Sequence, residues 1–159
     1  MRGGQRVKKE VINRYYDMIY RLALARTGSK AHADDVTQEV FLRYIQSNRD
    51  FENEEHTKAW LIRVTVNCSK DVFLNSWATK TVPLTEDIAF STPEKSDVYY
   101  AVMELPQKYR TVVHLFYFED FSLKEIAKYL NMNEATVRSQ LHRARELLKT
   151  KLKEGYDFV

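Results

Sequence analysis

Arg138, Ser139, His142, Arg143 and Arg145 fall within eight consecutive residues. Arginine carries a planar fork of donors that matches a phosphate or the two acceptors on a guanine edge. Small neighbours such as Ala135 and Ser139 let a helix approach its ligand closely. On a helix, Ala135, Ser139, His142 and Glu146 share one face, flanked by Arg138 and Arg143, with Thr136 in the first turn. The other face reads Val137, Leu141, Ala144 and Leu148, spaced four, three and four apart. That apolar stripe seats the helix and leaves the arginine face outward. The chemistry on offer is recognition of a polyanion rather than bond making.

Other reactive groups form weaker sets. Asp35 and Glu39 lie one helical turn apart, and Asp71 could join them as oxygen ligands for Mg²⁺ in a helical phosphohydrolase. Such sites call for a denser acidic set, and His32 and His56 lack the E-x-x-H spacing of di-iron bundles. His32, His56, His114 and His142 are scattered, and His114 reads as a core-edge residue. No nucleophile, base and orienting group converge. A single cysteine, Cys68, excludes an internal disulfide and offers no zinc site. The expectation is a protein with no catalysis, cofactor, metal or small-molecule substrate of its own.

The elements that must hold the arginine face follow from apolar spacing. Ser122 and Glu125 fit a capping box opening a short helix whose inward face is Leu123, Ile126, Ala127 and Leu130. Asn131 and Asn133 supply the turn, since asparagine tolerates a left-handed backbone. The arginine helix follows. This is a helix-turn-helix pattern, whose second helix enters a major groove with its N-terminal residues toward base edges; an αα-hairpin with a charged exterior is the plainer alternative. Ahead of it, Asp97 can cap a helix through about Glu104. Pro106 opens the next, and Val112, Val113, Phe116 and Tyr117 continue an apolar face.

The N-terminal half repeats apolar residues at helical spacing. Ile12, Tyr16, Ile19 and Leu22/Ala23 form one stripe, Val36, Val40 and Tyr44 with Phe41 a second, and Trp60, Val64 and Cys68 with Leu61 a third. Residues 27–34 and 47–56 read as polar connections. Residues 79–96 contain Pro83 and Pro93 without sustained periodicity, a longer stretch than a compact domain usually uses to join elements. Fully extended, they would reach about 60 Å. The expected fold is all-α: two small helical domains, 1–78 and 97–159, joined by a flexible linker, 79–96.

The chain of 159 residues is 44% hydrophobic and 30% charged, within the range of folded globular protein. No apolar run approaches the ~18–20 residues of a membrane span, and MRGGQRVKKEVINRYY has no apolar signal core. The expected location is a reducing cytosol. Net charge is only +3, but residues 135–153 carry six basic residues against one acid, Glu146. Residues 81–98 carry one lysine against four acids. A basic end beyond an acidic stretch suits a polyanionic partner.

ELPQKYRTVVHLFYFEDFSLKEIAKYLNMNEATVRSQLHRARELL resembles region 4 of sigma-70-family RNA polymerase sigma factors, with "LP…R…L", "EIA" and "TVRS…HRARE" in order. Upstream, Asp35–Gln38–Glu39 and the Trp60-Leu61…Arg63…Asn67…Asp71 series resemble region 2. Two such regions and a linker are the plan of the extracytoplasmic-function (ECF) group.

The resemblance implies core RNA polymerase as partner, through its β′ clamp helices and β subunit, and promoter DNA as ligand. Asp35, Gln38, Glu39, Phe41 and Leu42 would dock the clamp. The loop 47–56 with Phe51, together with Lys58, Arg63, Asn67 and Lys70, would melt and hold the −10 strand, with Trp60 in the core. Ala135, Thr136, Arg138, Ser139, His142 and Arg143 would read the −35 duplex, and Arg145 would lie nearer phosphate. It also implies an anti-sigma factor, often membrane-bound. The run VFLNSWATK after Asp71 departs from the family habit of arginines there. A stand-alone helix-turn-helix regulator is the nearest rival and leaves the N-terminal half unexplained.

Overall fold

The computed structural model describes residues 2–49, 51–79 and 97–155, and every regular element among them is helical. The chain divides into two compact units, Met1–Val82 and Pro83–Val159. The expected linker lies outside the described residues beyond Thr79.

The first unit packs three helices against one another: α1 (Arg2–Thr27), α2 (Lys30–Gln46) and α3 (Glu54–Thr79). Ile19, Leu22 and Ala23 of α1 meet Ala33, Val36 and Val40 of α2 and Ala59, Leu61 and Ile62 of α3 in a solvent-free core. Tyr16 departs from the expected stripe. It lies at the surface, where its ring stacks on Phe41 at 5.6 Å. Three buried threonines avoid a desolvation penalty by donating to the carbonyl four residues back: Thr27 to Ala23, Thr37 to Ala33 and Thr65 to Leu61, at 2.7–2.9 Å.

Both polar connections are shorter than the sequence suggests. Ser29 accepts the His32 amide at 3.3 Å and starts α2 at Lys30, so residues 30–34 are helical. Asn53 accepts the His56 amide at 3.0 Å and starts α3 at Glu54, taking residues 54–56 from the expected loop. A polar side chain that satisfies a free first-turn amide is enough to move a helix start by several residues. Lys8 closes the other end of α2, its ammonium donating to the carbonyls of Ile45 (2.9 Å) and Ser47 (3.0 Å). A cation there complements the negative end of the helix. Arg26, almost fully buried, donates to Ser69 Oγ and to the Val66 carbonyl, tying α1 to α3.

The second unit runs α4 (Asp97–Met103), α5 (Gln107–Val113), a π-helical turn (His114–Phe118), α6 (Leu123–Leu130) and α7 (Glu134–Gly155). Buried Arg110 of α5 donates to the Met103 carbonyl at 2.9 Å and so satisfies the end of α4, which Pro106 cannot extend. Burial pushes its guanidinium below the usual value. The apolar face of α5 does not continue as its spacing predicts. The Glu119 amide reaches back five residues to His114 O (3.1 Å), so the turn holds an extra residue. Val112 and Val113 are buried as expected. The wider turn then buries His114 and Leu115 and brings Tyr117 and Phe118 out, 49% and 60% exposed. His114 is settled by Glu119, Nε2 to Oε2 at 2.9 Å.

Candidate nucleic-acid interface

The helix pair that presents the arginines is built from local signals. Ser122 accepts the Glu125 amide (3.1 Å) while Glu125 accepts the Ser122 amide (3.0 Å), a reciprocal cap on α6. Asn131 ends α6 at φ 56°, left-handed, and lets the Met132 amide return to Ala127 O at 2.9 Å. Ile126 and Ala127 of α6 are buried with Val137, Leu141 and Ala144 of α7. Tyr129 is fully buried, edge-on to Phe121 at 5.1 Å. With these inward, α7 exposes Ala135, Thr136, Arg138, Ser139, His142, Arg143, Arg145 and Glu146.

Its outward polar side chains differ in what holds them. Arg138 donates to Glu134 at 3.3 Å; His142 Nε2 lies 3.3 Å from Glu146, and Arg143 reaches the same carboxylate at 3.8 Å. All three pairs lie one turn apart and well exposed, so each contributes little to stability. Arg145 has no acid partner among the described residues. Its Nε donates to the Tyr117 hydroxyl at 2.7 Å, and its guanidinium carbon lies 5.6 Å from the ring centres of both Phe116 and Tyr117. Sequence reading missed this contact because the π turn that brings Tyr117 out has no signature in apolar spacing. A shallow groove of about 750 Å³ runs along this surface, lined by Tyr109 and Phe116 as well as the α7 cations.

In the first unit, Arg63, Asn67 and Lys70 are all exposed, and their spacing of four and three puts them on one face of α3. Lys58 does not join them. It lies about 140° round the helix from Arg63, half-buried and 4.0 Å from Glu55. Phe51 packs between Tyr44 (5.9 Å) and Trp60 (5.6 Å). Burial raises the Tyr44 phenol, which stays neutral in this aromatic cluster.

Asp35, Gln38, Glu39 and Leu42 make a continuous outward stripe on α2, extended by Ile45, which the sequence reading overlooked although it falls three residues after Leu42. Arg43 donates to Glu39 within this stripe at 2.9 Å. Phe41 is absent from it: 5% exposed and stacked on Tyr16, it supports the stripe from beneath. Among the described residues, no three of His, Cys, Asp and Glu stand together as metal ligands; the Asp71 side chain lies outside them. None of the described helices is long and apolar enough to cross a membrane.

Comparison with known proteins agrees with this two-unit layout. Residues 11–79 match the family model for sigma-70 region 2, and residues 95–148 that for sigma-70, region 4. RNA polymerase sigma factor SigV of Bacillus subtilis (strain 168) is 33% identical over 139 residues, covering 84% of this chain and 83% of its own. ECF RNA polymerase sigma factor SigM of the same organism is 30% identical over 158 residues, covering 92% and 95%. Among solved structures, CnrH in complex with the cytosolic domain of CnrY has a similar fold, with a TM-score of 0.73 at 21% identity over 96% of this chain and 91% of that one. The chain therefore belongs to the sigma-70 family of RNA polymerase sigma factors, in its ECF group.

Proposed function

We propose that this protein is a dissociable promoter-specificity subunit: it binds core RNA polymerase and directs initiation by engaging a −10 and a −35 element. The exposed cation-rich face of α7, seated by a capped helix-turn-helix, carries the reading. It supports α7 in the major groove of the −35 duplex, with Ala135, Thr136, Arg138, Ser139, His142 and Arg143 toward base edges and Arg145 toward phosphate. The stripe Arg63, Asn67 and Lys70 suits the unpaired −10 strand, its cations gripping backbone and its amide pairing with a base edge. The outward stripe of α2, acid and amide running into Leu42 and Ile45, suits a clamp helix of the β′ subunit, and the second unit would meet the β subunit.

Domains 1–78 and 97–159 are joined in this scheme by 79–96, long enough for both to work on one promoter. Each site alone binds weakly; attachment to polymerase raises the effective concentration of both. The protein catalyses nothing itself and acts in the cytoplasm, and an anti-sigma factor that covers these surfaces is the expected regulator. Run-off transcription with core polymerase on DNA upstream of the protein's own gene tests the scheme. Transcripts that need both this chain and intact −10 and −35 segments support it. A chain that shifts its site equally well without polymerase would be a conventional regulator instead.

A further inference from the structure

The cations of α7 are held in two different ways. Arg138, His142 and Arg143 each lie beside a carboxylate one turn away, whose charge opposes DNA. Among the described residues, Arg145 is held by neutral groups only. Phe116 and Tyr117 meet at 81°, 4.9 Å between centres, forming a corner, and the guanidinium lies 5.6 Å from both rings. The Tyr117 hydroxyl accepts Nε at 2.7 Å. An arginine has five N–H donors, so this contact uses one and leaves the four on Nη1 and Nη2. The aromatic corner therefore fixes the side chain without cancelling its charge, and the rotamer freedom an exposed arginine surrenders on binding is given up beforehand.

We propose that Tyr117 is a positioning residue for promoter binding, holding Arg145 ready as a phosphate anchor beside the −35 groove. The inference rests on the reading of α7 as the duplex-facing helix. It separates two kinds of cation on that helix: Arg145 supplies a sequence-independent grip that needs no rearrangement, whereas Arg138 and Arg143 meet DNA beside a carboxylate that opposes it.

The test is a double-mutant cycle in reconstituted holoenzyme, measuring affinity for a promoter fragment recovered by run-off transcription and for copies with each −35 base pair changed. Arg145→Ala should weaken binding by the same factor on every copy. It should also flatten the slope of log affinity against log salt by about 0.9, the value for one phosphate contact. Tyr117→Phe keeps the ring and removes the hydroxyl; it should weaken binding about three- to tenfold, the scale of one hydrogen bond. In the Arg145→Ala background it should change nothing. Thermal midpoints of both variants should match the parent, since both side chains are exposed.

An equal loss from Tyr117→Phe with and without Arg145 would overturn the positioning role. An unchanged salt slope, or a loss at a single base pair, would overturn the phosphate role. If the parent holoenzyme binds all −35 copies equally, the reading of α7 fails first and the inference falls with it.

Discussion

Glu146 sits on the outward face of α7; in the proposed scheme its carboxylate opposes the duplex there, and Glu146→Gln isolates that opposition because the side chain keeps its size. Its contacts are His142 at 3.3 Å and Arg143 at 3.8 Å, with all three side chains more than half exposed. In water, the unit charges of Arg143 and Glu146 at such a distance attract by about 1 kcal/mol, and salt and side-chain entropy reduce this further. Folding stability should therefore change by less than about 0.5 kcal/mol.

Binding should respond more. A carboxylate about 8 Å from a phosphate costs about 0.5 kcal/mol in water, and with α7 in the groove as proposed two or three phosphates would lie within about a Debye length of Glu146. Release of Arg143 and His142 adds to this. The total is about 1 kcal/mol, so holoenzyme carrying Glu146→Gln should bind promoter and scrambled DNA alike about fivefold more tightly. Fluorescence anisotropy across a salt series measures both the affinity and its slope. Unchanged or weaker binding would refute the electrostatic argument. A change confined to one base pair would show instead that Glu146 reads a base.

Other perturbations separate the two units. Asn67→Ala should leave −35 duplex affinity intact but reduce open-complex formation, read as permanganate reactivity of −10 thymines. Ser122→Ala should destabilise the second unit by about 1 kcal/mol through loss of the cap, seen in chemical denaturation. Asn131→Gly should be neutral to slightly stabilising, and Asn131→Val should cost at least about 1 kcal/mol, because only the latter opposes φ 56°. Leu42→Glu should lower affinity for core polymerase at least tenfold, whereas Phe41→Leu, a change beneath the surface, should act mainly on thermal stability.

Local signals in the second unit were legible because each is written in a few adjacent residues. The Ser122–Glu125 cap, the left-handed Asn131 and the 137–141–144 stripe need no knowledge of distant contacts. What escaped the sequence depends on registry or on partners far along the chain. Phe51 looks like a loop aromatic until Tyr44 and Trp60 close around it. Phe41 and Leu42 are adjacent and both apolar, and only the docking of α1 decides that one is buried and the other exposed. Tyr117 fits an apolar face at regular helical spacing, and one surplus residue in the π turn moves it to Arg145. Lys8 closes α2 from 37 residues away, a pairing no local pattern announces.

That surplus residue makes the segment 114–118 a register joint. Excising a single position there would let the helix relax to regular winding, shifting the residues within the turn while the elements after it keep their register. Tyr117 would leave its arginine and Glu119 its histidine together. Chain length at this joint thus sets whether Arg145 is held, independently of the other outward side chains of α7.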